Sequence, residues 1–212
     1  MDFLKGKYTS FNEVHENWTN VKNKCRTTVN KEYTSKEPTD ELKHNLLLAE
    51  HSPIRLLTYD WSWKSIPYWV STELSRHKNE KFISSQRTDR TGIERDGLRQ
   101  DAPVNFDGVA NAQNIIDISR KRLCYCATKE ARTLMEDLKS TLIKNNFLIG
   151  YYAVPNCVYR GGCPEFKPCG FYKNFCEKYK NIYDFNDLKQ RYKAYNEYFL
   201  NQHSQINHNG GD

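Results

Sequence analysis

The clearest alternation in the chain falls in residues 54–63. Leu57, Tyr59, Trp61 and Trp63 share one face, and Thr58, Asp60 and Ser62 share the other. A period of two that sorts large apolar groups from polar ones is the pattern of a half-buried β-strand. Helical signals flank it. Pro38-Thr39-Asp40 opens a helix with Thr39 or Asp40 as N-cap, and Leu42, Leu46, Leu47 and Ala49 follow at helical spacing. His51-Ser52-Pro53 closes that helix, because the residue before a proline avoids the α region. Pro67 suits the first turn of another helix, running through Tyr68, Trp69, Val70, Leu74 and Arg76.

Helical spacing returns further on. Residues 108–122, with Val109, Ala112, Ile115, Ile116 and Ile118, read as a helix. Residues 128–144 read as a second, in which Ala131, Leu134, Met135, Leu138, Leu142 and Ile143 make one apolar stripe. Leu188, Tyr192, Tyr195 and Phe199 place a last helix over about 186–201. Residues 147–154 are apolar and aromatic and read as a strand, and polar residues 1–38 leave room for a helix. The tail from His203 to Asp212 is expected to be disordered. These elements predict one domain over residues 1–202, of mixed α/β class, with a small sheet, long helices and no Rossmann half.

A length of 212 residues suits one domain with a substantial core. The apolar fraction is 38%, and such a polar chain with 13% aromatics also suits an oligomer that completes its core at interfaces. The net charge of +6 favours anionic ligands, but no run of five or six Lys/Arg marks a nucleic-acid arm. No apolar stretch is long enough for a membrane span, and the N-terminus lacks the apolar centre of a signal peptide. A cytoplasmic location is expected, in which the seven cysteines do not form a disulfide framework.

Neither a dinucleotide fingerprint nor a Walker A loop is present. Phosphate must then be met by side chains or helix ends. Residues 79–106 form a long charged loop or short strands, and loops of that length are functional or disordered. The segment Arg76-His77-Lys78 through Ser84-Ser85-Gln86-Arg87 puts cations around a histidine and then hydroxyl, amide and guanidinium groups. Arg offers phosphate a planar fork, and Ser and Gln suit the edge of a polar heterocycle. The same composition also suits a solvated loop laced with salt bridges.

This segment resembles the signature of the flavin-dependent thymidylate synthases (ThyX), which is Arg-His-Arg, seven residues, then Ser. His51-Ser52-Pro53 is similar to the family's His-x-x-Pro-Phe, shortened, and Glu130-Ala131-Arg132-Thr133-Leu134 to its Asn-Ala-Arg-Ser-Leu. Ser84 through Gly92 resembles divergent bacteriophage-type members, and the likeness spans residues 40–145. It implies an enzyme that converts dUMP to dTMP with FAD, methylene-tetrahydrofolate and NADPH, built as a homotetramer whose subunits share each site. It also implies that His51, Ser52, Arg76, His77 and Lys78 hold the flavin. Ser84, Ser85, Gln86, Arg87, Arg132 and a late Arg160 would meet dUMP, with Ser85 and Arg132 at the reacting ring. Three positions depart from the pattern. Lys78 replaces an Arg, Ile83 stands where the family has Glu, and Ser85 comes one residue early. A point-charge ammonium does not copy a bidentate fork.

Cys157, Cys163, Cys169 and Cys176 are separated by five, five and six residues. That is not the Cys-x2-Cys spacing of common zinc knuckles, so metal binding, a nucleophilic Cys163 and inert packing all stay open. Cys124 and Cys126, between two helices, read as core, and Tyr59, Trp61, Trp63 and Trp69 as core or subunit interface. The competing functions are hydroxymethylation of dUMP at C5 and a metal-stapled nucleic-acid-binding module.

Overall fold

Aromatic side chains on the central strand set the architecture. A computed structural model of the chain describes residues 8–206, the side chains of 204–206 excepted. Its strands are β1 (Thr9–His15), β2 (Thr58–Pro67), β3 (Glu80–Ile83) and β4 (Pro103–Asn111). They form one antiparallel sheet in the order β1-β2-β4-β3. The helices among the described residues are α1 (Trp18–Thr27), α2 (Asp40–Leu48), α3 (Tyr68–Leu74), α4 (Thr88–Thr91) and α5 (Ala112–Arg122). After them come α6 (Lys129–Lys144), α7 (Asn156–Arg160), α8 (Phe171–Tyr179) and α9 (Leu188–Ile206). The fold is therefore the expected mixed α/β class with a small sheet and long helices.

β2 keeps the expected alternation but is displaced along the chain. Residues 52–56 form a 3-10 turn instead of strand, because Pro53 sits at its start and the Ile54 amide bonds back to the His51 carbonyl at 3.0 Å. Tyr59, Trp61 and Trp63 are buried on one face. A bulge between Trp63 and Ile66 then shifts the parity, so Ile66 is buried with them. Ser65 takes the strained backbone there, with φ of 55°, and its amide donates to Asn105 Oδ1 at 3.1 Å.

β4 claims residues 108–111, which helical spacing had assigned to the following helix. Val109 and Ala110 pair with Asp60 and Tyr59, and Asn111 caps α5 by accepting from the Asn114 amide at 2.9 Å. Large residues face small ones across this pairing: Trp61 stands opposite Gly108 and Tyr59 opposite Ala110. The Trp61 ring fills the space a side chain would need, since a Cβ on Gly108 would lie 2.5 Å from it.

Ala131, Leu134, Met135, Leu138 and Leu142 bury the expected stripe of α6. Within that stripe Lys139 is also buried, donating to the Gly150 carbonyl at 2.8 Å and Asn196 Oδ1 at 2.6 Å. Burial pushes its ammonium well below the ordinary lysine range. Residues 148–152, expected as strand, form a 3-10 turn with Gly150 packed closely against Leu142 and Ile143. The expected end of α9 near 201 is overrun to Ile206, and residues 207–212 lie outside the described residues. Among the described residues no helix is long and apolar enough to cross a membrane.

Gly108→Ala should cost about 1–3 kcal/mol, because the ring it meets is itself packed against Trp63. Gly162→Ala, where a Cβ meets nothing within 4 Å, should be nearly neutral. Chemical denaturation of both variants checks the contrast, and equal midpoints would contradict it.

Candidate active site

The sheet fixes the two halves of the motif at opposite ends of β3. α3 stops at Leu74, so Arg76, His77 and Lys78 lie in the turn after the helix rather than on it. Lys81 Nζ holds that turn through the His77 and Asn79 carbonyls, at 2.8 and 3.0 Å. The His77 ring is half-buried, and its Nε2 accepts from Arg122 Nε at 2.7 Å. Arg122, at the end of α5, is also ion-paired with the Glu73 carboxylate and donates to the Glu73 carbonyl at 3.0 Å. The other Glu73 oxygen accepts from Thr128 Oγ1 at 2.6 Å, which ties in the start of α6.

This network decides the charge of the histidine. A guanidinium cannot give up its proton, so the nitrogen it donates to must be the bare one. Burial, then the Arg122 and Lys81 charges, lower the His77 pKa to about 4. Arg76 and Lys78 flank this neutral ring, both exposed and with no ion pair among the described residues.

Arg132 sits one turn into α6 from Thr128. Its guanidinium lies over the Tyr125 ring, 4.3 Å from the centroid. Its Nε is 3.4 Å from Glu136 but not in hydrogen-bond geometry, and so is buried without a hydrogen-bond partner. Burial raises the Glu136 carboxyl, while Arg132 opposes that shift.

Ser84 to Arg87 follow the far end of β3. Ser84 extends the sheet, with its amide on the Asn105 carbonyl at 3.0 Å and its Oγ accepting from the Asn105 amide at 2.8 Å. Ser85 Oγ accepts from the Arg87 amide at 3.2 Å, and Gln86 is half-buried. Arg87 makes a two-pronged bond to Asp89, at 3.0 and 2.6 Å. Four strand residues span about 13 Å, so this cluster is that far from the His77 turn.

The remaining expected residues lie apart from both. His51 and Ser52 are exposed at the 3-10 turn, where His51 Nδ1 lies 3.9 Å from the Cys25 sulfur of α1. Arg160 is exposed on α7 and donates to Asn156 at 3.3 Å. One chain thus brings the Arg76–His77 turn to the start of α6 but joins neither to Ser84–Arg87, His51 or Arg160. Sequence reasoning missed Arg122, Glu73 and Thr128. The available signals were Glu73 four residues before His77 and the basic run Arg120-Lys121-Arg122. Cys126, expected in the core, is exposed, because the α5–α6 connection lies at the surface.

No protein-family model matches the sequence, and no curated protein matches it either. Solved structures do. The flavin-dependent thymidylate synthase ThyX of Helicobacter pylori, complexed with FAD and dUMP, aligns with a TM-score of 0.57 at 13% identity, over 69% of this chain and 99% of its own. The UMP/dUMP methylase PolB of Streptomyces cacaoi, bound with 5-Br dUMP, aligns with a TM-score of 0.54 at 12% identity, over 69% of this chain and 94% of its own. This chain has the ThyX fold. The likeness fixes that fold without singling out the phage-type branch expected from residues 84–92.

On the ThyX fold the neutral His77 has a consequence for stability. Its folded pKa of about 4 lies below the ordinary 6.5, so between those values the unfolded chain binds the extra proton. Stability must fall as the pH is lowered through that window. His77→Gln keeps an acceptor for Arg122 and removes the titration. Thermal midpoints from pH 7 to 4 should therefore decline less steeply in the variant, and parallel profiles would contradict the assignment.

Proposed function

We propose that this chain is a flavin-dependent enzyme of ThyX type that methylates dUMP at C5 to give dTMP. The observation that carries the reading is the coincidence of motif and fold. The segment from Arg76 to Arg87 resembles the family signature, and the chain independently takes the fold of proteins crystallised with FAD and dUMP.

The donor set fits such ligands. Arg76 and Lys78 are exposed cations without an ion pair among the described residues, and Arg132 has a buried nitrogen without a hydrogen-bond partner. Arg76, Lys78, His51 and Ser52 would hold FAD, with neutral His77 between the cations. Gln86, Arg87 and Ser84 would hold the nucleotide phosphate and neighbouring groups. Ser85 and Arg132 would face the pyrimidine. Reduced FAD, regenerated from NADPH, would supply the hydride, and methylene-tetrahydrofolate the carbon. The protein's part is to align the rings and to stabilise negative charge on the pyrimidine through Arg132.

Such a site needs more than one chain, since its expected residues are dispersed in a single one. We propose the homotetramer that the resemblance implies. β3 is an edge strand, and Phe82 on it is 65% exposed. Tyr68, Ile93 and Leu98 are exposed around the same loop, which supports burial against other copies.

Purified protein should show flavin absorption that dUMP perturbs, and should form dTMP when given folate and NADPH. A C5 product carrying hydroxymethyl in mass spectra would select the competing chemistry, and failure to bind FAD or dUMP would remove the reading. Arg87 is exposed and bonded locally to Asp89, so Arg87→Ala should leave stability unchanged. It should weaken dUMP binding by about ten- to a hundredfold in calorimetric titration, the scale of one charge-assisted hydrogen-bonded pair.

A further inference from the structure

Thiols gather around one cavity beside the α5–α6 connection. Cys124, Cys157, Cys163 and Cys169 line one cavity of about 160 Å3. They come from the α5–α6 connection, from α7 and from the loop between α7 and α8. Cys126 lies at the rim. Its amide donates to the Cys124 sulfur at 3.4 Å, its thiol reaches the Lys167 carbonyl at 3.8 Å, and it is in thiol contact with Cys124 and Cys169.

The loop that carries two of these cysteines has little else to hold it. Residues 163–169 make no backbone-to-backbone hydrogen bond among the described residues. Pro164 and Pro168 remove two of its donors, and the Phe166 side chain stands wholly in solvent. Ordering a loop carries an entropic cost that such contacts do not recover. A cross-link through the thiols would recover it. Four thiolates are the ligand set of a closed tetrahedral zinc site.

We propose that Cys124, Cys157, Cys163 and Cys169 ligate a structural zinc ion that fastens the α7–α8 loop to the α5–α6 connection. Among the described residues no three His, Cys, Asp or Glu side chains are arranged to hold a metal ion. Zinc binding would have to turn the thiols inward and draw in the loop. Four S–H bonds lose their protons to solvent, four Zn–S bonds of about 2.3 Å form, and nothing is oxidised or reduced. Lys173 and Glu165 both line the same cavity, so the lining adds no net charge of its own. Tyr125, beside Cys124, stacks on Phe171 at 4.7 Å and lies under the Arg132 guanidinium. The ion would thus steady the platform on which Arg132 rests. The zinc assignment stands whether or not dUMP is the substrate.

Protein purified without added metal should carry about one zinc per chain by elemental analysis, released to a dye by a mercurial thiol reagent. Cys163→Ser and Cys169→Ser should lose the ion. Cys176→Ser, outside the cavity, should keep it. Cobalt exchanged into the wild-type chain should give the visible bands of a tetrahedral thiolate complex, which carries the test even where a serine variant does not fold. Sub-stoichiometric zinc with all thiols open to a disulfide reagent in the native state overturns the proposal. So does a disulfide among these cysteines in mass spectra, or iron with a thiolate charge-transfer band in place of zinc.

Discussion

The contact of the Trp61 indole with the bare backbone of Gly108 fixes the register on which the rest depends. A slip of one residue would bring a side chain under the ring and turn every β4 residue to the other face. Among the described residues β3 pairs with β4 alone, so its position follows from that register, and with it the His77 turn at one end and Ser84 at the other. The same register starts α5. Ala112, the residue after β4, donates its amide to the Leu57 carbonyl at 2.9 Å. Ten residues of helix later, a rise of about 15 Å, Arg122 arrives at His77.

A buried cation does similar work at the end of α7. Arg191 of α9 is 8% exposed, yet it donates to the carbonyls of Val158, Tyr159 and Phe185 at 2.8, 3.0 and 2.7 Å. α7 is too short to satisfy its own last carbonyls, and a guanidinium offers several donors in one plane. Gly161, at a φ of 72°, ends α7 in the left-handed region and lets the chain turn closely over that guanidinium. The cysteine loop departs from this point, so its inner end is held by Arg191 while its outer part has no such support.

What the sequence made legible was whatever repeats within one element. The aromatic face of β2 and the stripe of α6 have clean periods, and both faces are buried as expected. Boundaries were lost where a distant partner decides. Val109, Ala112, Ile115 and Ile116 fit helical spacing, but pairing with β2 draws 108–111 into the sheet. β1 escaped notice because it is a polar edge strand whose hold on the sheet comes from β2. In the candidate site, the Arg76–Lys78 and Ser84–Arg87 clusters were visible as local chemistry. Their separation by β3 was not, and neither was the Glu73–Arg122 pair, whose members are 49 residues apart.

That pair explains how a basic site can contain a neutral histidine. Glu73 neutralises Arg122, and the Arg122 donor in turn excludes the proton from His77, so neither group adds free positive charge. Lys81 is engaged by the His77 and Asn79 carbonyls, which leaves Arg76 and Lys78 as the exposed cations of this turn, without an ion pair among the described residues. A salt-bridged surface loop would pair such groups locally, as Arg99 pairs with Asp101. Withholding carboxylates at Arg76 and Lys78 while supplying one to Arg122 leaves the turn electrostatically incomplete. An anion brought by another molecule would complete it, the role that the proposed cofactor phosphates fill.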